Sequence, residues 1–569
     1  MRANLPKLIF LFFFIFYLNL IFGQDLKFKE IGRLDKVRTS FTEILENSES
    51  SRKYLKPLYK VPKNPTNSIK PSSLNVISRS KQDQIRGEEF TEQSPEPEKV
   101  ITGVKDPLNA IPPDTHGAVG LDHILSTLNT NVQIMDREGK EISIVSLTDF
   151  FSPLGATQTF DPRVLFDERA KRWIIVVCTK PSVENSGIYI AISENHNPTA
   201  NWDMYYIPSD REKKLWLDYP SVGLSKDFIV ITGNMFGKNN NYKYSKIIAI
   251  RVSEIYDHKD VIVEEVNVFE DFSISPAVVK SDDKRIYMAN TLGTKDDIRG
   301  HIRLRYLEET EDNIYLRTIG DVELSPGWLN NPGDNRNFLP QKGSTELVNG
   351  NDTRMRNLIQ KGGKLFGVFS AWVFEGNSIR QLVRWYVIDV SNEEYTVVQD
   401  SEIRDNIQHY GFPSIAVNDN EDIMIGFSVF SEEMYPAAGY IIHKKEDPKN
   451  SFRKPFIFQE GKSAYYKTFG SNRNRWGDYS ATVVDPRDKV NFWTYQEYAD
   501  RSEDDVSKWA TTWAKVNPNE KLEAAFTSKS TIVLKGKSVD FINKSLGNPD
   551  GYKWTFQGGL PSNFSDRKS

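Results

Sequence analysis

Residues 475–499 read RWGDYSATVVDPRDKVNFWTYQEYA. The stretch opens on Arg475, Trp476, Asp478 and Tyr479, residue types suited to a binding or catalytic site. It continues as a short alternating run, a polar turn and a second apolar run, which is the pattern of a β-hairpin. The same arrangement returns along the chain, usually entered through a Pro. Copies are PDTHGAVGLDHILSTLN from Pro113, PRVLFDERAKRWIIVVC from Pro162 and PSVGLSKDFIVITGN from Pro220. Two more are PAVVKSDDKRIYMAN from Pro276 and PSIAVNDNEDIMIGFSV from Pro413, and a weaker one with a longer turn starts at Thr345. With Tyr479 these starts lie 49 to 69 residues apart. The opening stretch is therefore first a repeat unit, and its polar residues are judged by where the repeat places them.

Repeats of this length, each a hairpin with further strand material, predict an all-β fold and a seven-bladed β-propeller. SKIIAIRV (245–252) and RQLVRWYVIDV (380–390) supply third strands. The last unit is short of a strand, and KVITGV (99–104) is expected to fill that place and close the ring, which would remove exposed edges. Six or eight blades, and an open pair of β-sandwiches, are the alternatives.

The 569 residues carry a formal net charge of −4 with no concentrated basic region, so nothing points to nucleic acid. Arg2 and Lys7 precede the apolar run LIFLFFFIFYLNLIF (8–22), and Gly23 follows it. This is a signal-peptide pattern and too short for a comfortable span, so 1–23 predicts export to the cell surface or medium, with no membrane segment after cleavage. Residues 24–98 are polar, with scattered Pro, Ser, Lys and Glu, and read as an extension or linker. Within them, 26–47 is expected to form an amphipathic helix. The single cysteine, Cys178, lies in WIIVVC and reads as core. The fold must then be held by a large core or a metal rather than by cross-links.

In a propeller of residues 99–517 the innermost strands begin at one mouth of the central channel. Asp114, Asp161, Asp218 and Asp478 stand at or next to the same repeat position and are expected to converge there. They would repel one another unless compensated. Turn-capping by each Asp, pairing with Arg163 and Arg475, water, or a shared cation such as Ca²⁺ are the options. A Ca²⁺ held by the four carboxylates is expected because few Lys or Arg stand nearby in sequence. His116, Tyr219, His409, Tyr410, Arg475, Trp476 and Tyr479 flank the same position and complete the candidate ligand-binding set, although Trp and Tyr also pack blade junctions. No H-E-x-x-H, no G-x-S-x-G, no phosphate-binding glycine loop and no S-x-D-x-G-x-x-W box is present.

Beyond residue 517 the pattern breaks. GKSVDFINKS (536–545) and YKWTFQGG (552–559) resemble the first half of a PKD domain, although Gln557 and Gly558 replace its usual Gly-Asp. The resemblance implies that 518–569 is an incomplete Ig-like β-sandwich serving as spacer or interaction module, and that the sequence is truncated. The chain as a whole is similar to a loose class of secreted propeller proteins of Gram-negative bacteria. These share the PPDTHGAVG opening (112–120) and the RWGDYSATVVDP…FW unit, generally without an assigned activity.

Three functions are consistent with this reading. The first is a secreted or surface propeller binding a glycan or protein ligand. The second is a secreted hydrolase acting on glycans through a carboxylate and Arg site at the mouth. The third is a purely structural surface or adhesion module.

Overall fold

A computed structural model of the chain describes residues 25–50, 76–79 and 88–567, apart from 180–181, 258–259, 270, 294–299, 330–336, 377, 469–471, 504–505, 520–523, 529, 531, 535, 545–550 and 562. The expected signal peptide and residues 51–75 of the expected extension lie outside the described residues.

Hairpin follows hairpin, as the turn spacing requires, to give seven antiparallel four-stranded meanders among the described residues. Their first strands are His116–Val119, Thr159–Asp167, Leu215–Leu224, Ser275–Pro276, Met355–Lys361, His409–Val417 and Ala481–Val484. In chain order each first strand packs beside the next, and Ala481–Val484 packs beside His116–Val119. The architecture is a β-propeller with the first strands innermost. The two-residue strand Val278–Val279 lies parallel between Leu224 and Ile359 and bridges the third and fifth meanders. In the last meander, Val506–Val516 pairs with Lys99–Lys105 from the other end of the propeller, Trp513 opposite Ile101.

Second and third strands are buried on both faces because neighbouring sheets sandwich them. RWIIVVCT (Arg172–Thr179) is buried from Trp173 on, which is why it reads as a continuous apolar run rather than an alternating one. Cys178 is fully buried there. Nine tryptophans are almost completely enclosed between sheets. The glycines of HGAVG answer to two of them. A Cβ on Gly117 would meet the Trp513 ring at 2.4 Å, and one on Gly120 the Trp173 ring at the same distance.

Residues 26–40 are strands, not the helix expected over 26–47. Leu26–Lys27, Lys29–Leu34 and Val37–Ser40 pair with the outermost strands of the fourth, third and second meanders. A helix follows only at Phe41–Ser50, where Ser40 and Glu43 form a reciprocal capping box. Val76–Arg79 and Glu88–Gln93 also pair with propeller strands. Where described, the polar extension is an edge cover rather than a free linker. Its polarity follows from lying outermost with one face in water. The weak copy placed from Thr345 begins its inner strand ten residues later, at Met355.

Beyond Val516, Phe526–Ser528 pairs with Phe541–Asn543 and Gly551–Thr555 with Asn563–Arg567. Phe526, Phe541, Trp554 and Phe556 gather their rings between the two pairs. No helix among the described residues is long and apolar enough to cross a membrane.

Candidate functional site

Where the innermost strands begin, the backbone turns sharply. Asp114, Asp161, Tyr219 and Phe412 hold φ of +50°, +53°, +54° and +55°. The pairing register slips beside three of them, between Phe160 and Arg163, Asp218 and Ser221, and Gly411 and Ser414. A left-handed non-glycine residue costs on the order of 1 kcal/mol or more, and the Pro that follows Asp161, Tyr219 and Phe412 punctuates the bulge. By this geometry Tyr219, not Asp218, is the counterpart of Asp161, and Asp218 sits one residue upstream. Oxygens of Asp114, Asp161 and Asp478 all lie within 4.8 Å of one another, and Asp218 is outside that trio.

Each member is fastened. Asn129 donates to Asp114 Oδ2 at 2.6 Å, and its own oxygen accepts from the Asp161 backbone N–H at 2.7 Å. Asp161 Oδ2 accepts from the Tyr219 N–H at 3.1 Å. Arg475 donates to Asp478 Oδ1 at 2.5 Å, and Asn351 donates to the same oxygen. Beneath them Arg163 stacks on the Tyr479 ring at 3.4 Å, while Tyr479 donates to the Pro162 carbonyl at 3.0 Å. Arg354 grips Asp352 through two nitrogens and covers the Tyr219 ring at 4.1 Å. Arg356 reaches the Tyr219 hydroxyl at 3.3 Å.

Burial and charge drive the carboxylates apart in protonation. Burial, then the charges of Asp218 and Asp478, raises Asp161 to about 8. Burial, with Asp478 and Asp161 beside it, raises Asp114 well above the usual carboxylate range. Burial raises Asp218 to about 7, with Arg354 opposing and Asp478 adding. Burial would also raise Asp478, but Arg475, Arg354 and Arg356 more than offset it and hold it low. Asp114 and Asp161 are enclosed, whereas Asp218 and Asp478 remain partly open to solvent.

The structure thus brings together Asp114, His116, Asp161, Arg163, Asp218, Tyr219, Arg475, Asp478 and Tyr479. Trp476 is core: it packs edge-on to Phe430 and Tyr465 and its indole donates to Ser428. His409 is turned elsewhere, accepting from the Gln381 N–H, and its charged neighbours are Arg380 and Glu375. Tyr410 packs on Phe427 and donates to Gln408. Tyr219 and Tyr479 are buried, so neither offers an open platform to a sugar ring.

Sequence reasoning missed Asp352, Arg354 and Arg356. Their signal was the D-T-R of residues 352–354, parallel to the D-P-R of 161–163. It was hidden by starting that unit at Thr345. Arg354 and Arg356 also add positive charge that the case for Ca²⁺ did not count. Asp114, Asp161 and Asp478 are close enough to share an ion, and Arg475 already pairs with Asp478.

No protein-family model matches the chain, and no curated protein matches it. Among solved structures it is similar to an α-L-arabinanase of Penicillium chrysogenum, at 10% identity over 74% of this chain and 99% of that one, with a TM-score of 0.36. A Hadza microbial sialidase gives 11%, 70%, 74% and 0.34 in the same order. An apocarotenoid oxygenase of Synechocystis gives 8%, 62%, 73% and 0.37. None of these scores reaches 0.5, and no activity of this chain is read from them.

Proposed function

We propose that each of the seven meanders is one blade of a seven-bladed propeller closed by Lys99–Lys105, and that the protein is an exported hydrolase acting on glycans at the mouth where the inner strands begin. The observation that carries the activity is the split between its two partly open carboxylates. Asp218 titrates at about 7 while Asp478 is held ionised by Arg475, Arg354 and Arg356. Neighbouring titratable groups pushed apart in this way supply an acid and a base at one pH. Glycoside hydrolysis needs such a pair. Asp218 gives its proton to the leaving oxygen as the sugar C–O bond breaks. Water adds to the sugar carbon and loses a proton to Asp478, which returns it to solvent, and Asp218 is reprotonated from solvent. Arg475 and Arg354 keep the ionised carboxylate in place.

Export rests on the apolar run 8–22, and a PKD-like spacer on the motifs at 536–545 and 552–559. The test is to incubate the full chain with a panel of polysaccharides and oligosaccharides and to look for products by mass spectrometry. Products that vanish in folded Asp218→Asn and Asp478→Asn variants are expected. A folded wild-type chain that releases none would sink the reading.

A purely structural role is the second reading, favoured by the enclosure of Asp114 and Asp161. Their bonds, with those of Asn129, Arg163 and Tyr479, tie together the first, second, third and last meanders. In that case the same variants change the melting temperature and nothing else.

A further inference from the structure

Below the carboxylate layer the inner strands enclose a second feature. A cavity of about 520 Å³ runs from His116, Arg163 and Arg356 at one end to the turns holding Lys171, Lys280 and Lys489 at the other. None of Asp114, Asp161, Asp218 and Asp478 lines it, and Arg356 is the one residue it shares with the support of Asp478. Its size lies within the range of small-molecule sites, about 300–1,000 Å³. Val164, Val222, Ile359, Ala416 and Ala481 give it apolar walls.

The end beneath the carboxylates is cationic and rich in donors. Arg163 donates through Nε to the Pro220 carbonyl at 2.9 Å, but its buried Nη2 has no acceptor. It also has no carboxylate within ion-pair distance among the described residues. Arg356 uses Nη1 on the Tyr219 hydroxyl and Nη2 on the Asp352 carbonyl and, at 3.4 Å, the Asp352 carboxylate, and its buried Nε has no acceptor. His116 accepts from the Val164 N–H through Nδ1, which leaves Nε2 to donate. Each buried donor without a partner costs about 1–3 kcal/mol. Ser221, Ser275, Asn357, Ser480 and Thr482 also line the cavity. Two such donors at the end of a partly apolar cavity, on guanidinium groups shaped for carboxylates, describe the complement of one kind of molecule.

We propose that the channel binds an amphipathic carboxylate, its acid head against Arg163 and Arg356 and its hydrocarbon body along the valine and alanine walls. Entry is from the far end, where Arg169, Lys171, Lys280 and Lys489 outnumber Asp167, Glu168 and Asp282 among the lining residues.

Dodecanoate below its micelle concentration, methyl dodecanoate, acetate and inorganic phosphate serve as probes, titrated into the full chain by calorimetry. Dodecanoate is expected to bind one to one. The ester, acetate and phosphate should each bind at least about tenfold more weakly, because each lacks either the charged head or the body. Arg163→Gln, shown folded by its melting curve, should lose the preference for acid over ester. If that variant does not fold, Ser275→Leu, which narrows the cavity without touching a guanidinium, should weaken dodecanoate by about tenfold or more. The proposal is overturned if wild type does not bind dodecanoate. It is also overturned if acid and ester bind equally, or if the folded variant binds as wild type does.

Discussion

Asp161 and Asp478 lie within a few ångströms of each other and differ in protonation, one neutral and one ionised, and the surrounding residues explain why. Asp161 is enclosed and faces other carboxylates, whereas Asp478 faces guanidinium groups. An unfolded Asp titrates near 3.9 and folded Asp161 at about 8. Between those values the folded chain binds more protons than the unfolded chain, so stability falls as pH rises from about 4 to about 8. Asp478 acts oppositely: its contribution is complete above about 4 and is lost only as pH falls below that. Melting temperature is therefore expected to drop between about pH 5 and pH 8, and Asp161→Asn, which mimics the protonated acid, to flatten that drop. If hydrolysis occurs here, its rate falls above about 7, as Asp218 loses its proton. Arg354→Met leaves buried Asp352 without its bidentate partner and should cost about 3–5 kcal/mol in urea unfolding. If arginine alone offsets the carboxylates, a chelator leaves the melting temperature unchanged, whereas a drop would point to an ion shared by Asp114, Asp161 and Asp478.

At the scale of elements, the closing strand is the test of the ring. Ile101 is buried opposite Trp513 and is the apolar anchor of Lys99–Lys105. Ile101→Ala should lower stability by about 2–5 kcal/mol, read from denaturant midpoints. The strands at 26–40 perform a related task on the outside. Without them, Asn201–Pro208, Val261–Val268 and Ile314–Leu324 would present open edges. A chain beginning after residue 50 is expected to aggregate on warming, measured by light scattering, at temperatures where the full chain stays dispersed.

Across the whole molecule, the apolar clusters that hold the meanders together contain no described residue beyond Val516. A chain ending at Asn519 should melt at the same temperature as the full chain. A lower value would mean that the aromatic cluster around Trp554 supports the propeller.

The sequence by itself determined the β-class, the recurrence of hairpins and, except in the unit placed from Thr345, the turns near which inner strands begin. A turn residue followed by a buried strand is a local signal, carried by neighbours in the chain. It also made KVITGV a candidate closing strand, because one unit lacked a strand and this one had no partner. Only the tertiary structure decided what the mouth is. Asp218 and Asp161 both stand just before a Pro, but both strands bulge at the same place, and the left-handed position goes to Asp161 in one and Tyr219 in the other. Trp476 looks like a ligand platform, and packing against Phe430 and Tyr465 makes it core. Arg354 and Arg356 reach the carboxylates from a unit distant in the chain. The protonation of a buried acid depends on every charge around it, whatever the sequence separation, so the chemistry of the site was not legible until the inner strands met around one axis.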